Sequence, residues 1–143
     1  GMSEKFIRKA DRAGIYYLPA NRRAATEAAA EKAHLRPTPV KISRGMHSAA
    51  LLKQLGEALN FPDWYGANFD ALHDCLTDPD WASGKGIALF LTGTASLHKC
   101  DPDGLATLIE VFQAVADELG RSGTPFWVLL DSPATDIPTL PEA

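Results

Sequence analysis

Two short apolar segments in the second half of the chain limit its possible folds most strongly. They are GIALFLT, residues 86–92, and FWVLL, residues 126–130, and neither contains a charged residue. Continuous apolar runs of this length are typical of strands that are covered on both faces. Between them, the helix-start signature Asp101-Pro102-Asp103 is followed by an apolar stripe from Leu105 to Leu119. A strand, a helix and a second strand in this order predict parallel pairing with a right-handed crossover.

The first part of the chain shows the same alternation of strand and helix patterns. We expect a strand at residues 14–18, a helix from Arg22 to about His34 with Asn21 as its cap, and a strand at 38–43. Ser48 is expected to cap a further helix, which contains leucines at helical spacing. The sequence therefore predicts the α/β class, with a small parallel β-sheet of three to four strands flanked by helices.

Length and composition indicate a single domain. The chain has 143 residues, of which 45% are hydrophobic, and this is sufficient for one ordinary core. We place the domain at residues 14–131, after an N-terminal tail at 1–13. Residues 132–143 are expected to form a disordered C-terminal tail, because they include three prolines and few apolar residues.

The sequence contains no apolar run long enough to span a membrane and no signal-peptide pattern, so we expect a cytoplasmic protein. The two cysteines, Cys75 and Cys100, lack CxxC spacing, which favours free thiols in a reducing compartment. His34, His47 and His98 show no spacing with Cys or acidic residues that indicates a metal site. We expect no metal and no cofactor.

Residues 54–84 combine acidic and aromatic side chains and contain no Lys or Arg. Their formal charge is -6, compared with -4 for the whole chain, whereas residues 1–44 carry ten basic and four acidic residues. Five of the twelve aromatic residues lie between positions 61 and 81. An acidic and aromatic surface is typical of a docking face for a basic partner, although two separate solvated faces would give the same charge count.

A short helix is predicted inside the acidic stretch. Asn68 is a good N-cap for a helix at about residues 69–77, after a loop that begins near Pro62. Asp70 and Asp74 are four residues apart and therefore share the outward face of this helix. Like charges at this spacing repel by a few tenths of a kcal/mol. A chain that accepts this repulsion either keeps the two charges for another role or carries them on an unselected surface.

One segment of the chain contains Pro62, Tyr65, Gly66, Asn68, Asp70, Ala71, Leu72, Asp74, Cys75, Leu76 and Thr77. This set of residues resembles the central motif of the barstar family of ribonuclease inhibitors. The leucine-rich helix before this motif and the apolar strands after it are also similar in their order. The resemblance implies a barstar-like fold, with residues 38–131 as the barstar-like core and residues 14–37 as an additional strand and helix.

This resemblance also implies a function. A barstar-like protein is not an enzyme but a bacterial inhibitor, which occludes the active site of a basic, extracellular-type ribonuclease with an acidic helix and the preceding loop. Asp74 matches the aspartate that takes the position of an RNA phosphate. Neither a membrane nor direct nucleic-acid binding is expected. The partner-binding residues are expected to be Trp64, Tyr65, Gly66, Asn68, Asp70, His73, Asp74, Thr77 and Trp81.

The sequence departs from the barstar pattern at several positions. His73 stands where barstar has a tryptophan, and Ala114 stands where barstar has a glutamate that contacts the enzyme. The connection from Asp78 to Gly86 is longer, which leaves the register of Trp81 open. We therefore expect the partner to be a basic nuclease other than barnase, the secreted bacterial ribonuclease that barstar inhibits.

Two other classes of function are compatible with parts of the sequence. One is a hydrolase that uses Asp70 and Asp74 as acid and base, but exposed carboxylates on one short helix lack the pocket that separates their pKa values. The other is a non-inhibitory protein- or nucleic-acid-binding module. Its basic residues would be Arg22, Arg23, Arg36, Lys41 and Arg44.

Overall fold

The computed structural model describes residues 3–82 and 86–142. Its centre is a four-stranded sheet of β1 (Ile15–Tyr17), β2 (Arg36–Lys41), β3 (Ile87–Thr92) and β4 (Phe126–Leu130). The strands lie in the order β1-β4-β3-β2, and every neighbouring pair is parallel. The predicted α/β class and small parallel sheet are confirmed, while the sequence leaves the strand order open.

Helices cover both faces of the sheet. Within β3, Leu89 and Leu91 pack with the helices of one face, whereas Ala88 and Phe90 pack with α2 and Trp127 on the other. Both faces of β3 are therefore shielded from water, which explains why this strand is apolar from Ile87 to Leu91. The α-helices in the described residues are α1 (Glu4–Ile7), α2 (Arg23–Lys32), α3 (Ser48–Ala58), α4 (Phe69–Leu76), α5 (Pro79–Ala82), α6 (Thr94–Cys100) and α7 (Pro102–Arg121).

The carboxylate of Asp101 caps two helices. It accepts hydrogen bonds from the Ser48 amide at 2.9 Å and from the Gly104 amide at 3.0 Å, and so joins the beginnings of α3 and α7. The prediction that Ser48 caps α3 is wrong, because Ser48 is the first helical residue and His47 occupies the cap position. Hydrogen bonds from Ser48 and Gly104 hold the pKa of Asp101 below its usual value.

The local sequence does not reveal how α2 and α6 begin. Asn21, the expected cap of α2, lies in a 3-10 turn, and α2 begins at Arg23 without a side-chain cap. The start of α6 is bonded to the carboxylate of Asp131, which accepts hydrogen bonds from the amides of Gly93 at 2.9 Å and Thr94 at 3.0 Å. The capping group of α6 is therefore distant in sequence.

The N-terminal segment is part of the core, which corrects the predicted tail at 1–13. Phe6 and Ile7 in α1 are buried, and the indole nitrogen of Trp127 donates to the Ile7 carbonyl at 2.8 Å. A fully buried tryptophan needs an acceptor for its N–H, and the backbone of α1 supplies it.

The C-terminal segment is also ordered, which corrects the predicted disorder of residues 132–143. It runs beside β1, where the Tyr17 amide donates to the Pro138 carbonyl at 2.8 Å and the Leu140 amide donates to Tyr17 at 2.9 Å. Leu140 is buried, and the guanidinium of Arg22 donates to its carbonyl at 2.6 Å. The segment supplies hydrogen-bond partners for backbone groups at the free edge of the sheet. Its amino-acid composition does not reveal this role. Gly1, Met2 and Ala143, which belong to the predicted tails, lie outside the described residues.

Candidate partner-binding site

The short helix α4 presents its polar face to solvent, as its sequence pattern predicts. The side chain of Asn68 accepts a hydrogen bond from the Ala71 amide at 2.8 Å and so caps the helix. Leu72, Cys75 and Leu76 form the buried stripe on the inner side. Burial, followed by the negative charges of Asp78 and Asp74, raises the pKa of the Cys75 thiol. Cys75 is therefore a packed core residue and not a reactive thiolate.

Asp70 and Asp74 lie on the exposed side of α4. The side chain of Asp74 is 70% exposed, so its carboxylate is open to a partner molecule. Asp70 lies in the first turn, where the helix dipole stabilises a negative charge. The two charges therefore project from a helix that is packed against the core, and neither is hidden against the chain's own surface.

His73 lies between two carboxylates from different helices. Its Nδ1 is 3.7 Å from Asp74, and its Nε2 is 3.8 Å from Glu118 of α7. Glu118 thus adds a negative charge next to the acidic face of α4, and the sequence analysis did not identify it. Glu118 lies one helical turn after Ala114, and i to i+4 spacing on α7 is the signal that would have found it.

Trp64 is exposed in the loop at residues 61–67, which precedes α4. Its side chain is 56% exposed, whereas the other large hydrophobic residues that the structure describes are buried or partly buried. The next residue, Tyr65, is half-buried, and its hydroxyl donates to the Leu52 carbonyl of α3 at 2.6 Å. Burial and the neighbouring Cys75 raise the pKa of Tyr65 to about 12. Trp64 therefore faces outward from a loop that Tyr65 fixes to the domain.

The remaining predicted residues make internal contacts. The Trp81 indole nitrogen donates to the Leu59 carbonyl at 3.0 Å, and its ring packs on Phe61 with centroids 5.0 Å apart. The hydroxyl of Thr77 donates to the His73 carbonyl at 2.8 Å. Gly66 is exposed in the loop, and Asn68 acts as the cap of α4. Trp64, Asp70, His73 and Asp74 remain available on the surface, while Tyr65, Thr77 and Trp81 have polar groups that are already bonded.

Within residues 3–82 and 86–142, no group of three or more His, Cys, Asp or Glu is placed to hold a metal ion. Among the helices of the same described residues, none is long and apolar enough to cross a membrane. The exposed groups around α4 are carboxylates, an imidazole and an indole. This set can form charge-assisted hydrogen bonds to Arg and Lys and can pack on a flat ring.

The fold and the site define a small parallel α/β domain that presents an acidic helix at its surface. The family model described as "Barstar (barnase inhibitor)" matches residues 37–131, which is more than half of the chain. The chain therefore belongs to the barstar family. The description of this family names an inhibitor and not an enzyme. A comparison with curated proteins gives no match.

Proposed function

We propose that this protein inhibits a basic ribonuclease by covering its active site with α4 and the loop at residues 61–67. The observation that carries the proposal is the position of Asp74, whose side chain is 70% exposed on a helix that is anchored by a buried apolar stripe. A charge fixed in this way needs little ordering when a partner binds.

The proposed mechanism is the replacement of an RNA phosphate by a carboxylate. In a desolvated pocket lined by Arg and Lys, the two oxygens of Asp74 accept charge-assisted hydrogen bonds as phosphate oxygens do. Asp70, one turn earlier, meets a second basic residue at the rim of the pocket. Trp64 covers an apolar or aromatic group beside it, and this excludes water from the charged contacts.

The charge distribution supports a basic partner. Residues 54–84 contain six carboxylates and no Lys or Arg, and Glu118 lies close to the same surface. A field of one sign attracts an oppositely charged protein and accelerates the encounter. This charge distribution supports the basic character of the proposed nuclease partner.

Two substitutions relative to the family pattern support a partner other than barnase. His73 replaces a tryptophan, and Ala114 replaces a glutamate that would contact the enzyme. A partner of this chain meets an imidazole flanked by Asp74 and Glu118 instead of a large indole. We expect the cognate nuclease to place a complementary group there, and barnase to bind weakly.

The bacterial cytoplasm is the proposed location. An inhibitor protects the producing cell only where the nuclease would otherwise reach cellular RNA. Both cysteines are free, and Cys75 is buried, as expected for a reducing compartment.

The alternative of a nucleic-acid-binding module receives less support, because several of its basic residues have internal partners. Arg22 donates to backbone carbonyls of the C-terminal segment, Arg23 pairs with Glu27, and Arg36 lies over the Trp81 ring at 5.4 Å. These cations stabilise the domain and are less free to bind phosphates.

Affinity capture tests the proposal. Wild-type protein and the Asp74→Ala variant are immobilised and exposed to extract and medium of the producing cells. We expect a basic protein that is retained only by the wild type, and whose RNA cleavage stops when wild-type inhibitor is added. Retention of the same proteins by both baits, or a retained partner without nuclease activity, would contradict the proposal.

A further inference from the structure

The loop that presents Trp64 is fixed to α3 through Tyr65. The Tyr65 hydroxyl donates to the Leu52 carbonyl at 2.6 Å, and the Tyr65 amide donates to Pro62 within the loop at 3.0 Å. The ring of Tyr65 also packs edge-on against Phe61, with centroids 4.8 Å apart. The Tyr65 side chain therefore anchors the loop, because its ring packs against the side of α3 and its hydroxyl bonds to the backbone of that helix.

The anchor fits because α3 has no side chain at position 56. Gly56 is buried inside the helix, and a Cβ atom placed there would lie 2.5 Å from Cε2 and 2.6 Å from Cδ2 of Tyr65. Non-bonded carbon atoms do not approach each other so closely, so any residue larger than glycine at position 56 would displace the Tyr65 ring.

The backbone of Gly56 does not explain the glycine. Gly56 is not among the glycines with positive φ, and it lies within α3, where alanine would favour the helix. The sequence thus accepts a poor helix former in a regular helix. Space for the ring of Tyr65 is the reason that the structure offers.

We propose that Gly56 is a positioning residue for partner binding: the slot that it leaves in α3 holds the Tyr65 ring, and this fixes the loop in the shape that presents Trp64. Trp64 is adjacent to the anchored residue and is 56% exposed. A loop with a preset shape loses less entropy on binding than a loop that must be ordered by the partner. The inference rests on the proposed function for its partner, whereas the slot itself can be tested in the free protein.

The first experiment is amide hydrogen exchange on free Gly56→Ala. We expect the Tyr65 amide and the Phe61 amide, which donates to the Gly56 carbonyl at 3.0 Å, to lose protection, while the amides of β3 and β4 keep theirs. Gly14→Ala is the matched control, because a Cβ there would meet Tyr16 at an ordinary 3.8 Å. Unchanged protection of the loop in Gly56→Ala would overturn the proposal.

The second experiment measures binding of the same variants to the nuclease that wild type inhibits. We expect Gly56→Ala to weaken the affinity by about tenfold, because the loop must then be ordered during binding. In a Tyr65→Leu background, where the ring is absent, Gly56→Ala should have almost no further effect. Additive effects of the two substitutions would contradict a shared slot.

The results separate this inference from the proposed function. If the loop of Gly56→Ala loses protection but its affinity for the nuclease equals that of wild type, the preset shape of the loop is irrelevant and the inference is wrong. If wild type binds no nuclease and the loop still loses protection in the variant, the slot exists and the proposed function is wrong.

Discussion

The carboxylate of Asp74 is the group on which the proposed inhibition depends most. Leu72 and Cys75 hold α4 against the core, while Asp74 projects from the opposite side. The repulsion between Asp74 and Asp70 disfavours the isolated helix slightly. A basic partner would convert this small cost into favourable interactions with both carboxylates.

Substitution of Asp74 by alanine should separate binding from stability. We predict that Asp74→Ala weakens the affinity for the nuclease by more than about 2 kcal/mol, as expected for an anchor that becomes buried at the centre of the interface when the partner binds. The thermal midpoint should be unchanged or slightly higher, because a like-charge repulsion is removed. Titration calorimetry and thermal unfolding measure the two effects. Glu31→Ala, which removes an exposed charge from α2, is the control. Full affinity together with a collapsed midpoint would make Asp74 a structural residue.

Asp131 is an acid with a structural role. Its carboxylate accepts hydrogen bonds from the amides of Gly93 and Thr94 and from the Thr94 hydroxyl at 2.8 Å. Partial burial acts to raise the pKa of Asp131, but these hydrogen bonds outweigh it and hold the pKa below the usual value. A lowered pKa in the folded state means that the charged carboxylate stabilises the fold.

The protein should therefore lose stability in acid. The contribution of Asp131 is fully present well above the unfolded-state pKa of about 4, and it disappears as the pH falls through the lower pKa of the folded state. We predict that Asp131→Ala lowers the thermal midpoint at about pH 6 and that its difference from wild type shrinks toward about pH 3. A difference that is constant over this range would contradict the assigned role. Asp11→Ala, an exposed aspartate, is the control.

Local spacing predicts some of these residues correctly and cannot predict others. The cap of α4 and the outward direction of its acids follow from residues within one or two turns, so the sequence identifies them. The roles of Tyr65 and Trp81 depend on carbonyls 13 and 22 residues away, at Leu52 and Leu59. Such bonds arise only when the loop folds back on α3, and no periodicity encodes them.

The free edge of β2 carries two prolines at the positions that face away from the sheet. Arg36 donates its amide to Gly86 at 3.3 Å and Ile42 donates to Thr92 at 2.8 Å, so the even-numbered amides of this strand point toward β3. The odd-numbered positions Pro37 and Pro39 point outward, and proline has no N–H. The edge therefore lacks two of the donors that another strand would need.

Replacement of both prolines should allow the β2 edge to pair with a strand of another molecule. We predict that the double variant Pro37→Thr, Pro39→Thr forms more oligomer or aggregate than wild type at equal concentration, because it gains two outward amides. Size-exclusion chromatography with light scattering measures the change. Pro133→Thr, at an exposed position in the C-terminal segment, is the control. An unchanged oligomeric state of the double variant would show that the prolines do not protect the edge.

Helices and strands with strong patterns are predictable in this chain, whereas the four-residue helix α1 is not. The continuous apolar runs and the long stripe of α7 identify β3, β4 and α7 within one or two residues. The four-residue α1 is stable because Phe6 and Ile7 pack on Trp127, which is 120 residues away from Ile7. Such an element depends on the finished core and has no signature of its own.

The uneven distribution of charge over the chain should control how fast it meets its partner. Residues 1–44 are rich in Lys and Arg, and residues 54–84 contain only acidic charges. The acidic surface around α4 therefore attracts a basic protein more strongly than the net charge of -4 suggests.

Association with the nuclease should depend on ionic strength. We predict that the association rate falls by about tenfold or more between about 0.01 M and about 0.5 M salt, because the Debye length shrinks below the range of steering. The dissociation rate should change much less. Stopped-flow or surface-based kinetics measure both. Equal salt dependence of the two rates would argue against steering by the acidic surface.

The order of the strands is a property of the whole chain that pattern analysis does not reach. The sequence predicts a parallel sheet, but it does not indicate that β1 lies beside β4 or that the C-terminal residues cover the other edge of β1. Composition alone favours disorder for that segment. Its backbone bonds to Tyr17 and the burial of Leu140 outweigh this preference.

Displacement of RNA from the captured nuclease tests the central claim most directly. A fluorescent, uncleavable oligonucleotide is bound to the purified nuclease, and the inhibitor is added in increasing amounts. If the Asp74 carboxylate takes the position of a phosphate, wild type should release the oligonucleotide at one equivalent, and Asp74→Ala should require a much higher concentration. A complex that contains inhibitor, nuclease and oligonucleotide together would contradict the account.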